Sequence, residues 1–203
     1  HRERTIQRMK AQKTVLCIQD GSDLNYSPLA RCEGLGFIGT NQTGKKSKGL
    51  HLHSTFAVTS SGLPLGVLRA ECKAREQRSQ EDRRALSAIP IEEKNTFSWI
   101  QGVRDCMEIK QLMPHTSLIS VMDREADFFE IFDDQRRKSS RVDLLIRAQH
   151  NRKTMGEHKL FEEVMQSPIQ SRITIKIPRQ SARVKKKNQK ARNERAARIA
   201  EVT

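Results

Sequence analysis

Apolar residues fall in short runs along this chain, and the first runs predict strands. Thr14 to Gln19 is a compact apolar segment of strand length. Leu50 to Thr59 alternates, with Leu52, Ser54, Phe56 and Val58 on one face. A turn at Ser60-Ser61-Gly62 is followed by Leu65 to Cys72, which we interpret as the returning strand of a hairpin. The amino-terminal part therefore begins with three strands.

Beyond this region the apolar spacing changes to a helical period and then alternates between strand and helix. A helical pattern starts at Asn95 and stops at Pro114, with apolar residues at near-helical spacing: Phe97, Ile100, Val103, Met107 and Leu112. Leu118 to Met122 predicts a buried strand, Ala126 to Lys138 a helix, and Val142 to Ala148 another strand. This order predicts an α/β fold, with helices packed on a mixed sheet.

The remaining segments are less regular. Arg4 to Lys13 predicts a polar helix, and residues 20–48, with five glycines, predict a loop. Residues 73–94 are highly charged and predict irregular structure. Leu160 to Met165 predicts a short helix, and alternation at Ile173, Ile175 and Ile177 predicts a strand.

Composition limits the class of protein. With 203 residues, 35% hydrophobic and 31% charged, the chain is long enough for one domain with a core. No apolar run approaches the roughly 20 residues of a membrane span, so no membrane partner is expected. The four cysteines form no C-x-x-C pair, which indicates reduced, structural cysteine in a cytoplasmic protein and argues against zinc. Because the chain begins with His1, we expect a fragment of a longer protein.

The net charge of +14 lies mainly at the two ends of the chain. Residues 179–203 carry nine Lys/Arg and two Glu, and residues 1–13 carry five Lys/Arg and one Glu. Basic segments of this kind favour a polyanion partner, because neutralised phosphates release counterions. The alternative is a solvated or disordered tail.

Two carboxylates follow apolar runs. Asp20 comes after Gln19, and Asp123 opens the run Asp-Arg-Glu-Ala-Asp directly after Met122. If the two strands are neighbours, both carboxylates lie at one rim, where they suit a divalent metal. Asp20-Gly21 is also an ordinary turn pair, and Asp123 is also a good helix N-cap. In a basic chain, the pair suggests metal-dependent phosphoryl transfer on nucleic acid.

Two other motifs are weaker. Gly39 to Lys45 nearly matches a phosphate-binding loop, but Lys46 stands where Ser or Thr is needed and a strand pattern follows, so we expect no nucleotide cofactor. His51 and His53 share one strand face and have no apparent third metal ligand, which favours core or surface histidines.

Five segments of the chain resemble the bacterial insertion-sequence transposases of family four, and the resemblance covers about residues 4–203. The segments are Val15 to Asp20 with Ser22 and Leu24, Lys48 to Ser54, Glu92-Glu93-Lys94 with Trp99, Met122 to Asp127, and Ile146 to Arg152. These enzymes are acid-triad (Asp-Asp-Glu) transposases with a ribonuclease-H-like core.

The resemblance implies a fold and a site. Residues 14–168 would form part of a ribonuclease-H-like core, and 169–203 the start of a β-rich insertion with a basic loop. Residues 1–13 would be a basic helix leading in from an absent DNA-binding domain. Asp20 and Asp123 match the two catalytic, metal-binding aspartates, and the cofactor would be Mg²⁺, with Mn²⁺ as a substitute. No residue matches the third catalytic glutamate; Glu162, Glu163 and Glu201 lie in the wrong context.

The implied partner is double-stranded DNA, at transposon ends and target, bound by a homodimer in a bacterial, nucleoid-associated setting. Expected DNA-contacting residues are Arg124, Arg147, Arg152, Lys153, Lys185, Lys186 and Lys187. Arg124 is equally well interpreted as a helix-surface charge, and Lys185 to Lys187 also resemble a localisation tract. The competing hypothesis is a catalytically inactive, DNA-binding remnant that lacks the third acidic residue.

Overall fold

The computed structural model describes residues 1–29, 31–40, 44–75, 88–138, 141–182 and 193–202. The chain divides into two compact units, His1–His150 and Asn151–Thr203. Lys185, Lys186 and Lys187, expected to contact DNA, lie outside the described residues. Within the described ranges, no helix is both long and apolar enough to cross a bilayer.

The first unit holds three helices and six strands among its described residues. They are α1 (Arg2–Lys10), β1 (Thr14–Asn25), β2 (Gly36–Thr40), β3 (Lys46–Thr59), β4 (Pro64–Lys73), α2 (Phe97–Gln111), β5 (Ser117–Met122), α3 (Phe129–Arg137) and β6 (Val142–Ile146). Short 3-10 turns cover Ile91–Glu93 and Arg124–Ala126. In the second unit, α4 (Leu160–Gln166) is followed by the antiparallel pair β7 (Ile173–Ile177) and β8 (Arg198–Val202).

The six strands of the first unit form one mixed sheet. Its order is β2-β3-β1-β5-β6, and β4 also pairs with β3. The strands β1 to β4 pair antiparallel, whereas β5 joins β1 and β6 in parallel. The predicted mixed sheet with packed helices is confirmed. The antiparallel strands β2 to β4 lie on one side of β1, and the parallel strands β5 and β6 lie on the other.

The prediction of a loop over residues 20–48 is wrong, and so is the placement of Asp20 at a strand end. The strand β1 continues through Asp20 to Asn25, β2 lies within the supposed loop, and β3 begins at Lys46. The partner strand supplies the reason. Every residue from Val15 to Asn25 is registered against β3, and this ladder of backbone hydrogen bonds overrides the low strand propensity of Asp, Gly and Asn.

Two boundaries also differ after β5 and in β6. The predicted helix from Ala126 begins as a 3-10 turn, and α3 itself starts only at Phe129. The strand predicted to reach Ala148 ends at Ile146, where pairing with Met122 stops. Both differences leave longer loops than predicted, one between β5 and α3 and the other after β6.

The core of the first unit lies between one face of the sheet and the helices α1 and α2. On β1 the alternate residues Val15 and Cys17 are fully buried, and they share a cluster with Met9 of α1 and with Cys106 and Ile109 of α2. Each fully buried aliphatic side chain stabilises the fold by about 1.5–3 kcal/mol. A hydrogen bond to Cys17 and burial both raise the pKa of the Cys106 thiol, which keeps it protonated.

Candidate active site

The parallel pairing of β1 with β5 brings the two predicted aspartates to the same level of the sheet. The last registered pair is Ile18 with Val121. Counting two residues onward along each chain reaches Asp20 in β1 and Asp123 directly after β5, so we expect the two residues to lie at a similar level. Both side chains are exposed. Their carboxylate separation, expected at roughly 4–8 Å for a two-metal site, stays a prediction.

Asp20 lies where β1 loses one of its two neighbours. Up to Ile18 the strand is paired on both sides, with β3 and with β5. From Gln19 onward the registered partner is β3 alone, and Asp20 faces Ser54 in that pairing. The step leaves an open sheet edge next to Asp20, on the side where Asp123 follows β5.

Asp123 is oriented by its own turn. Its Oδ1 accepts a hydrogen bond of 2.8 Å from the backbone N–H of Glu125, so the N-cap interpretation is confirmed. A carboxylate has about four acceptor sites on two oxygens. One bond to the turn therefore fixes the direction of the side chain and leaves acceptor capacity for a ligand.

The last carboxylate of the acidic run has a different role. Asp127 is buried, and its Oδ2 accepts bonds from the backbone N–H groups of Gln149 (2.7 Å) and His150 (3.1 Å). The N–H of Arg147 donates to the carbonyl of Met122 at 3.2 Å. These contacts tie the loop after β6 to the loop after β5, and they hold Arg147 beside the residue that precedes Asp123.

The expected DNA-contacting residues fall into separate groups. Arg124 and Arg147 are exposed in the first unit, on the loops that follow β5 and β6. Arg152 and Lys153 belong to the second unit. There the Arg152 carbonyl accepts a hydrogen bond from the N–H of Leu160, and the backbone of Lys153 forms an isolated antiparallel β-bridge with Lys159. Their role in DNA binding stays a prediction.

A histidine and an aspartate pair on the part of β1 and β3 that extends beyond β5. His51 Nδ1 lies 2.8 Å from Asp23 Oδ1. A Cβ added to Gly21 would lie 3.0 Å from His51 Cε1, so the glycine next to Asp20 makes room for this ring. Sequence reasoning missed this pairing, because Asp23 lies in the segment predicted to be a loop, whereas His51 lies in a predicted strand.

Arg75 is a half-buried cation that lies near the carboxylates of Asp23 and Glu125. Burial lowers the pKa of Arg75, while the charges of Asp23 and Glu125 act in the opposite direction. The backbone of Arg75 runs along β2, where its carbonyl accepts from Phe37 N at 2.8 Å. Sequence reasoning missed Arg75, since it stands in a charged stretch without any pattern.

Directly beneath the aspartates lies a buried polar network that sequence reasoning also missed. Gln19 Nε2 donates to Ser120 Oγ at 2.9 Å, and His53 Nε2 lies 3.1 Å from Gln19 Oε1. The Trp99 ring meets His53 edge-on, with centroids 4.6 Å apart. Burial, followed by the charges of His51 and Arg69, lowers the pKa of His53 to about 4, so the ring is neutral.

The helix α2 approaches this network at a glycine. A Cβ added to Gly102 would lie 2.1 Å from Gln19 Oε1 and 2.6 Å from Gln19 Cδ. Only glycine lets the helix backbone come this close to the Gln19 amide. The amide is thus enclosed by β3, β5 and α2.

Metal-ligating side chains form no group of three or more in the part of the chain that the structure describes. The rim offers the carboxylates of Asp20 and Asp123, which are hard oxygen donors of the kind that Mg²⁺ prefers. Mg²⁺ usually keeps several waters and needs only one or two carboxylates besides substrate phosphates. The donor set therefore fits this ion.

Comparison with known proteins finds only distant similarity, to solved structures. No protein-family model matches the chain. No curated protein matches it either. Among solved structures, the chain is similar to a piggyBac transposase, determined by cryo-electron microscopy as a synaptic complex with hairpin DNA, with a TM-score of 0.40 and 7% identity. The alignment covers 84% of this chain, which spans 30% of the length of the transposase chain.

Proposed function

We propose that this chain carries part of the catalytic core of a DNA transposase, of the bacterial insertion-sequence family that its motifs resemble. The reaction would be metal-dependent hydrolysis and strand transfer of phosphodiesters at transposon ends. The observation that supports the proposal is the register of β1 and β5, whose last pair, Ile18 with Val121, lies two residues before Asp20 and two residues before Asp123.

The sheet is compatible with the ribonuclease-H-like core that the resemblance implies. Asp20 lies on the central strand β1, and Asp123 follows the neighbouring parallel strand β5. In open α/β sheets, ligands bind outside the carboxyl ends of the strands. Asp123 follows the carboxyl end of β5, whereas Asp20 lies within β1 just beyond the last residue that pairs with β5, and the exposed loops after β5 and β6 border Asp123.

The chemistry follows from the residues at the rim. Asp20 and Asp123 would hold Mg²⁺, which when bound supplies charge stabilisation for the attacking and leaving oxygens of the phosphodiester. Glu125 N–H keeps the Asp123 carboxylate in place. Arg124 and Arg147 would contact the DNA backbone and offset the repulsion between phosphate and the acidic rim.

Metal binding tests the proposal most directly. We expect Asp20→Ala and Asp123→Ala each to weaken Mn²⁺ binding by about tenfold or more, which is about 1.4 kcal/mol. Asp143→Ala is the matched control, because it removes the same charge from an exposed position near the other end of β6. Calorimetric titration of the four proteins gives the affinities. Equal affinity in wild type and Asp123→Ala would remove Asp123 from the site.

A nicking assay on transposon-end DNA tests the activity itself. We expect the 203-residue chain to bind Mn²⁺ weakly and not to transpose DNA, since no residue matches the third carboxylate. Strand transfer by this chain that is lost in Asp123→Ala would show that another residue replaces the glutamate.

A further inference from the structure

The register of β1 against β5 is not determined by apolar residues alone. Both strands are apolar on both faces: Val15 and Cys17 are buried on one face of β1, while Leu16 and Ile18 lie on the other. A slip of one residue would still cost burial, because Val15 and Cys17 are fully buried and Ile18 is 36% exposed, but it would place apolar residues on both faces again. The alignment of Asp20 with Asp123 therefore needs a further determinant.

Polar side chains within these apolar strands supply it. Gln19 is 2% exposed, Ser120 0% and His53 1%, and the three are joined by hydrogen bonds of 2.9 and 3.1 Å. A buried polar group that loses its partner pays the cost of desolvation without compensation. A slip of one residue between β1 and β5 would put Gln19 and Ser120 on opposite faces of the sheet, so the network penalises such a slip.

Each member of the network lies close in the chain to Asp20, to Asp123, or to the residue that pairs with Asp20. Gln19 precedes Asp20 in β1, and His53 precedes Ser54, the residue registered opposite Asp20. Ser120 lies on β5, three residues before Asp123. The Gln19 amide thus joins β1 to both of its neighbours at the first residue beyond the backbone pairing of β1 with β5.

We infer that Gln19, Ser120 and His53 are positioning residues, whose buried hydrogen bonds hold Asp20 level with Asp123 for metal binding. This inference rests on the proposed function of the carboxylate pair. The network lies on the sheet face that α2 covers. Successive residues of a strand point to opposite faces, so Asp20 is on the other face from Gln19, and the network residues act through the backbone and do not bind the metal.

The test compares Mn²⁺ affinities of the full chain at a temperature where circular dichroism shows each variant folded. We expect Gln19→Met and Ser120→Ala each to weaken Mn²⁺ binding about tenfold, the lower end of the range for residues that support metal ligands. Val142→Ala is the stability control, because it truncates a fully buried side chain at the start of β6, far along the sheet from the rim.

A conservative substitution separates positioning from general stability. Ser120→Thr keeps the hydroxyl that accepts from Gln19 but adds a methyl group to a fully buried site. We expect this variant to be less stable than wild type and yet to bind Mn²⁺ with wild-type affinity. Weakened binding in Ser120→Thr equal to that in Ser120→Ala would contradict the inference.

The failures of the two proposals differ. If Asp123→Ala loses Mn²⁺ binding while Gln19→Met and Ser120→Ala match Val142→Ala, the network is structural only and the inference is wrong. If Asp123→Ala binds Mn²⁺ like wild type, the proposed function fails and the inference fails with it.

Discussion

Replacing Gly102 by alanine tests the close approach of α2 to the buried network. In an ordinary helix position, alanine is more favourable than glycine by about 1 kcal/mol. Here the added Cβ would lie 2.1 Å from Gln19 Oε1, well inside contact distance. Either the helix must move away from the sheet or the Gln19 side chain must leave its two partners.

The magnitude follows from these opposing terms. Overpacking of a buried site costs about 1–3 kcal/mol. Displacing the amide loses two hydrogen bonds of about 1 kcal/mol each. After subtracting the gain in helix propensity of about 1 kcal/mol, either response leaves a net loss, and we expect Gly102→Ala to lower the free energy of unfolding by about 1–2 kcal/mol.

Once Gln19 is shortened, the same substitution should raise the free energy of unfolding instead of lowering it. In a Gln19→Ala background the atoms that collide with the new Cβ are absent, and only the propensity gain remains. We therefore expect Gly102→Ala to stabilise Gln19→Ala by up to about 1 kcal/mol. Such a change of sign between backgrounds is a coupling energy between contacting residues.

Urea unfolding followed by tryptophan fluorescence provides the assay. Trp99 is the single tryptophan of the chain, is 4% exposed, and lies against His53, so its emission reports on this part of the core. If Gly102→Ala is neutral or stabilising in the wild-type background, the close packing of α2 on Gln19 is refuted.

Two further predictions concern pH and salt. His53 has a pKa of about 4 in the folded protein and about 6.5 in the unfolded chain. The stability that depends on neutral His53 should therefore be fully present above pH 6.5 and be lost as the pH falls towards 4. The shift corresponds to about 3 kcal/mol, since one pKa unit is about 1.4 kcal/mol. Melting of wild type and His53→Gln as a function of pH measures this, and equal slopes would exclude His53 as the cause. Deleting residues 179–203 should flatten the plot of log DNA affinity against log salt by several units, at about 0.9 per phosphate contact, whereas Asp20→Asn should leave it steep. Filter binding across salt concentrations measures both, and an unchanged slope after the deletion would mean that this basic segment is only a solvated linker.

The sequence by itself indicated the class of fold and the two aspartates. The strand-like runs around Ile18 and Val121 and the helical period from Phe97 are local patterns, because burial of one face imposes a period on nearby residues. The Asp-Arg-Glu-Ala-Asp run after an apolar strand identified Asp123 as a candidate ligand, because this run is also a local feature of the sequence. Its capping bond to Glu125 is also local and was foreseen as an alternative.

Tertiary pairing decided where these residues lie relative to one another. The extension of β1 through Asp20 to Asn25 depends on β3, whose residues lie about 30 positions later and which no local propensity could indicate. The burial of Gln19 and its bonds to His53 and Ser120 join residues 34 and 101 positions apart. Propensity and periodicity describe neighbours along the chain, whereas the level of Asp20 against Asp123 is a property of register, which is fixed by hydrogen bonds and packing between distant segments.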